Sequence, residues 1–121
     1  MTSIPELMQT HLFGVFNERD RLKRQAAIAR TYSDDVRWTD DDGVTTGRSA
    51  LAAKAEALQQ QLGDLQFIAA EPPYQTLGLG YLAFHVVEPG GDIPRVSGFD
   101  VAIVRDGVID ELYTVLTHQH A

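Results

Sequence analysis

Residues 97–116, SGFDVAIVRDGVIDELYTVL, decide the architecture. Both halves are apolar, and the Asp106-Gly107 pair between them is a hairpin signal. The stretch predicts two antiparallel strands joined by a tight turn. One residue sits oddly in the first of them. Asp100 is surrounded by Phe99, Val101, Ala102, Ile103 and Val104. Strand alternation sends Phe99, Val101 and Ile103 to one face and Gly98, Asp100, Ala102 and Val104 to the other. Both rows are apolar apart from Asp100, so its carboxylate is expected to face a covered space.

Upstream of this hairpin the chain reads as further strand: Gln66 to Ala70, Gln75 to Leu77 and Tyr81 to Val87, with Pro89-Gly90-Gly91 as a second hairpin signal. The register of that hairpin is open. A two-residue turn centred on Gly90-Gly91 puts Tyr81 opposite Asp100, with Ala83 and His85 on the same face. A three-residue turn substitutes Leu82, Phe84 and Val86. Tyr113 on the last strand shares the ambiguity.

The first half is helical. Ser3-Ile4-Pro5-Glu6 has the capping-box pattern, and Leu7, Met8, Leu12, Val15 and Phe16 follow at helical spacing. Asp20 can cap a second helix, with Leu22, Ala26, Ala29 and Tyr32 on one stripe. Val36 to Thr39 is a short strand closed by Asp40-Asp41-Asp42-Gly43, and Val44 to Thr46 pairs back. RSALAAKAEALQQQL forms a third helix, which Gly63 ends. Helices first and a strand meander last predict an α+β domain spanning 1–121: a cone-shaped, curved antiparallel sheet covered by three N-terminal helices.

Composition narrows the partners. The chain has 121 residues, no cysteine and a net charge of −7, which excludes disulfides, thiol nucleophiles and thiolate metal sites. Residues 1–54 carry eight acidic and eight basic side chains, and residues 55–121 carry nine and two, so the second half holds the whole imbalance. With no basic stripe, neither nucleic acid nor an anionic membrane is an expected partner. No apolar run approaches a membrane span, and MTSIPELMQT lacks a signal-peptide pattern, so a cytoplasmic protein is expected. The surplus of apolar strand residues predicts a homodimer packed through the sheet.

Three cofactor or metal patterns fail on inspection. Gly78-x-Gly80-x-x-Ala83 is followed by strand rather than helix. Asp40-x-Asp42 places Val44 and Leu51 where calcium needs oxygen. His118-x-His120 has no third ligand. No cofactor and no metal are expected.

The ordered segments FNERDRLKRQ, YSDDVRWTDDDGVTTGRSALAAKAEAL and VSGFDVAIVRDGVIDELYTVL resemble the SnoaL-like branch of the nuclear-transport-factor-2-like superfamily, whose fold is a cystatin-like roll. The resemblance implies a pocket inside the cone. It also implies that Asp100 matches the acid that ketosteroid isomerases use on the substrate oxygen, and that Asp40 matches their general base. In those isomerases an apolar site keeps the carboxyl protonated and able to donate. The isomerases' first-helix tyrosine has no counterpart, since Leu12, Phe13 and Phe16 fill that region. Gly98 stands where epoxide hydrolases of this fold have arginine. Both departures argue against those two reactions.

What remains is a cofactor-independent isomerase, cyclase or dehydratase acting on a small apolar carbonyl compound. Asp100 and Asp40 are its candidate catalytic residues, and Trp38, Phe16, Tyr81, His85 and Tyr113 its candidate ligand contacts. A non-catalytic binder of a hydrophobic metabolite and a dimeric interaction module are the alternatives.

Overall fold

The computed structural model describes residues 2–119. Helix α1 (Ile4–Gln9) starts on the Ser3 hydroxyl, which accepts from the Glu6 amide at 3.2 Å. It runs on as a π-helical segment, Thr10–Phe16, closed by the five-residue step from the Asn17 amide to the Leu12 carbonyl. The sequence explains the widening. Buried residues recur in pairs at a strict period of four, Leu7/Met8, His11/Leu12 and Val15/Phe16. In an α-helix that period drifts by about 40° per repeat, and a wider turn takes the drift back. Asn17 then latches the segment to the sheet, its side chain exchanging two hydrogen bonds with the Phe67 backbone at 2.6 and 2.7 Å.

Helix α2 (Arg21–Thr31) is capped by Asp20, as its sequence predicts. The expected stripe is on the wrong face: Leu22, Ala26 and Ala29 are exposed, Arg24, Ala27, Ile28 and Thr31 are buried instead, and Tyr32 opens strand β1 (Tyr32–Asp40). Strand β2 (Gly43–Thr46) pairs back on β1, and helix α3 (Arg48–Leu62) ends at Gly63, whose φ of 60° suits glycine. Strands β3 (Gln66–Ala69), β4 (Tyr74–Thr76), β5 (Leu79–Val87), β6 (Val96–Arg105) and β7 (Val108–Gln119) complete the chain.

Among the described residues the strands form one curved, unclosed sheet in the order β2-β1-β7-β6-β5-β3, with β4 also on β5. The expectation of an antiparallel sheet needs one correction: β1 and β7 run parallel. They are far apart in sequence, so no tight turn constrains their direction, and α3 with the meander supplies the long crossover that parallel pairing needs.

The register of β5 on β6 is the three-residue alternative: Leu82 opposes Asp100 and Tyr81 opposes Val101. Leu82, Phe84, Ala102 and Leu112 therefore share the concave, helix-covered face with Asp100, and all four are buried. Helix α1 closes down on this face at Gly80, where an added Cβ would lie 2.8–2.9 Å from Ile4 and Met8.

Candidate active site

Asp100 faces the interior, 3% exposed, in the middle of the concave face. Its carboxylate has two partners. Oδ2 lies 2.6 Å from His11 Nε2, and Oδ1 accepts from the Thr114 hydroxyl at 2.6 Å. His11, 1% exposed, reaches in from the π-helical segment, and its Nδ1 lies 2.5 Å from the Tyr32 hydroxyl at the start of β1. Thr114 in turn accepts from the Trp38 indole N–H at 3.0 Å. The result is one continuous polar chain, Tyr32–His11–Asp100–Thr114–Trp38, crossing an apolar core.

The surroundings are aromatic. Phe16 packs edge-on against His11 at 5.0 Å, against Trp38 at 5.2 Å and against Phe67 at 6.0 Å, and Phe67 meets Phe84 at 5.3 Å. Such a shell keeps water off the chain and strengthens every charge interaction inside it.

Burial, together with the nearby Asp100 charge, pushes the Tyr32 phenol well above its ordinary 10.0. The folded protein therefore holds this proton at a pH where the unfolded chain releases it. The stability that it contributes is full below about pH 10 and falls as pH rises further, by up to about 1.4 kcal/mol per pH unit. Urea unfolding between pH 9 and 11 is expected to show that extra slope, and Tyr32→Phe to remove it. Equal slopes in the two proteins would mean that Tyr32 titrates as a free phenol.

Asp40 is placed differently. Its Oδ1 accepts from the Asp42 amide at 2.9 Å and so holds the β1–β2 turn, while its Oδ2 pairs with the Lys54 ammonium. The ammonium also lies 4.7 Å from the centre of the Trp38 ring. Trp38 is thus the wall between the two carboxylates, with its N–H directed to Thr114 and its face under Lys54.

The structure brings together Asp100, Trp38 and Phe16 and sets Asp40 behind the indole. It does not bring in Tyr81, His85 or Tyr113. Tyr81 and Tyr113 both oppose Val101, and His85 opposes Ser97, so all three lie on the convex face. There Tyr81 stacks on Tyr74 and packs at a tilt against Phe99, and His85 Nδ1 meets the Ser97 hydroxyl at 2.7 Å. Among the described residues no group of three or more histidine, aspartate or glutamate side chains is arranged to hold a metal. His120, of the His118-x-His120 pair, lies outside them.

Sequence reasoning missed three members of the chain, His11, Tyr32 and Thr114, of which only His11 carried a clear signal. Its signal was the one that singled out Asp100: a titratable residue within an otherwise apolar buried pattern.

The helices laid across a curved sheet, with a buried carboxylate at its centre, can be compared with known structures. A candidate isomerase of the SnoaL-like family from Agrobacterium tumefaciens strain C58 superimposes with a TM-score of 0.87 at 25% identity, over 98% of this chain and 100% of that one. The chain has the nuclear-transport-factor-2-like fold and resembles its SnoaL-like branch. Two more distant SnoaL-like and isomerase-like structures share this fold. A candidate SnoaL-like polyketide cyclase from Jannaschia sp. CCS1 gives 0.77 at 13% identity over 93% of this chain and 84% of that one. A candidate ketosteroid isomerase from Kribbella flavida DSM 17836 gives 0.73 at 18% identity over 98% and 80%. No protein-family model and no curated protein matches the sequence. Among the described residues no helix is long and apolar enough to cross a membrane.

Proposed function

We propose that the protein is a cofactor-independent acid–base enzyme on a small, largely apolar carbonyl compound, with Asp100 as the group that handles the proton. The observation that carries this reading is the His11–Asp100 pair, hydrogen-bonded at 2.6 Å inside a shell of aromatic rings. One carboxylate oxygen accepts from the Thr114 hydroxyl, the other faces His11 Nε2, and each keeps a lone pair that can take a further proton. The role differs from the donor expected by analogy with the isomerases: Asp100 accepts. It takes a proton from carbon next to the carbonyl, the C–H electron pair passes to the carbonyl oxygen as an enolate, and Asp100 returns the proton to the same or another carbon. Phe16 and Trp38 hold the ligand. Asp40, neutralised by Lys54, is the more solvated of the two carboxylates and does not take the first proton. Because Asp100 is 3% exposed, a ligand reaches it only when an aromatic side chain moves aside.

Exchange with solvent deuterium tests this without the natural substrate. Small cyclic ketones and enones incubated with the protein in deuterated buffer containing a chelator are expected to gain deuterium next to the carbonyl faster than in buffer alone. No excess exchange with any of them would count against the enzyme reading.

A second reading, a dimeric interaction module, is favoured by the convex face. Tyr113 and Val115 are 40% and 42% exposed there beside the Tyr74, Tyr81 and Phe99 rings. We infer a homodimer packed through this face, with the acidic second half of the chain around it, so that added salt strengthens association. Light scattering at micromolar concentration is expected to give twice the 13.4 kDa chain mass. A monomer mass at both low and high salt would remove the dimer.

A further inference from the structure

We propose that Tyr32 and the Trp38–Thr114 pair are positioning residues that hold the buried His11–Asp100 couple in one protonation arrangement: neutral His11 with its proton on Nε2, facing an ionised Asp100. Donor chemistry fixes one end. The Trp38 indole nitrogen can only donate, so at 3.0 Å the Thr114 oxygen accepts from it. The single hydroxyl hydrogen of Thr114 then points at Asp100 Oδ1, 2.6 Å away, and that oxygen must accept.

Tyr32 fixes the other end. Its hydroxyl lies on a residue with no exposure, and His11 Nδ1 at 2.5 Å is its partner. If Nδ1 carried the proton, the Tyr32 hydroxyl hydrogen would have no acceptor among the described residues, a state disfavoured roughly tenfold or more. Tyr32 therefore donates, Nδ1 accepts, and the imidazole proton sits on Nε2. It faces Asp100 Oδ2 at 2.6 Å, so both carboxylate oxygens accept. Placing a proton on Oδ2 instead would reverse the imidazole and orphan Tyr32. The upward displacement of the Tyr32 phenol fits its part as a permanent donor.

Within turnover Tyr32 and Thr114 act through Asp100 and touch no substrate, while Trp38 acts through its N–H on Thr114 and meets the ligand only with its ring; that role rests on the function proposed above. The protonation arrangement does not, which separates the two tests. Protein labelled with nitrogen-15 in its histidine rings reports the tautomer directly, and the His11 signals are those that vanish in His11→Gln. At pH 7, wild type is expected to show His11 neutral and protonated on Nε2, in at least a tenfold excess over the other tautomer. That excess is expected to fall by roughly tenfold in Tyr32→Phe and in Thr114→Val, to fall in Trp38→Phe, and to survive in Thr114→Ser, which keeps the hydroxyl. An Nδ1-protonated ring or an imidazolium in wild type at pH 7 would overturn the proposal, and needs no variant to fold. Wild-type spectra from folded Tyr32→Phe and Thr114→Val would overturn it too. Deuterium exchange into ketones that survives in Asp100→Asn, beside the expected tautomer, would sink the function and leave this inference standing.

Discussion

Gly98→Ala is expected to destabilise the fold by about 3 kcal/mol, in the upper range for overpacking a well-filled core. A Cβ on Gly98 would lie 2.4 Å from the Val115 carbonyl oxygen, 2.9 Å from the tip of the Phe84 ring and 3.2 Å from the Leu116 Cα. Two of these three atoms are backbone, so β7 itself must move. It would move where its pairing with β6 already shifts, between Ser97 and Gly98. The adjacent rungs of the ladder, which carry Asp100 opposite Thr114, would loosen with it. Gly80→Ala is the control. The three atoms nearest its Cβ would all be side-chain atoms, of Ile4 and Met8, and a methionine adapts by rotation. That variant is expected to lose no more than about 1 kcal/mol. In urea, Gly98→Ala should unfold at a clearly lower midpoint than both wild type and Gly80→Ala. Equal midpoints for the two glycine variants would mean that β6 and β7 are less tightly apposed than these distances imply. The same crowding shows why an arginine could not replace Gly98 without rebuilding the strand pair.

Much of this fold is legible in the sequence because its signals are local. Ser3 and Asp20 cap helices as their spacing predicts, and Asp106-Gly107 turns β6 into β7 with both residues at positive φ. What was not legible depends on distance or on parity. The parallel pairing of β1 with β7 joins segments that no local pattern relates. The β5–β6 register turns on one residue. Centring the connection on Gly91, rather than between Gly90 and Gly91, exchanges every side chain between faces, which moves Tyr81 and His85 to the convex side.

The candidate site divides the same way. Asp100 could be found because a carboxylate within a doubly apolar strand has few places to go. His11 was hidden by the expectation of a tyrosine on the first helix: the tyrosine of this network is Tyr32, one segment later, and the helix supplies the imidazole. Asp40 stands in a run of three aspartates, and its local role in the turn coexists with its pairing to Lys54.

Asp100→Asn is the second substitution with a large expected effect. The amide keeps the shape of the carboxylate but cannot take up a proton. Its NH2 group must also face a donor, either the Thr114 hydroxyl or His11 Nε2–H, so one bond of the polar chain is lost or turned round. A stability loss of about 1–3 kcal/mol is expected from that mismatch, small enough to leave a folded protein at 25 °C. Proton transfer should fall much further. Removing a positioned general base costs typically 10²–10⁴-fold, and roughly 10³-fold is expected here. The decisive measurement is the rate of deuterium uptake next to a ketone carbonyl, wild type against Asp100→Asn, at equal folded concentration. A fall of about a thousandfold is the result expected if Asp100 is the proton acceptor. Equal rates in the two folded proteins would contradict it.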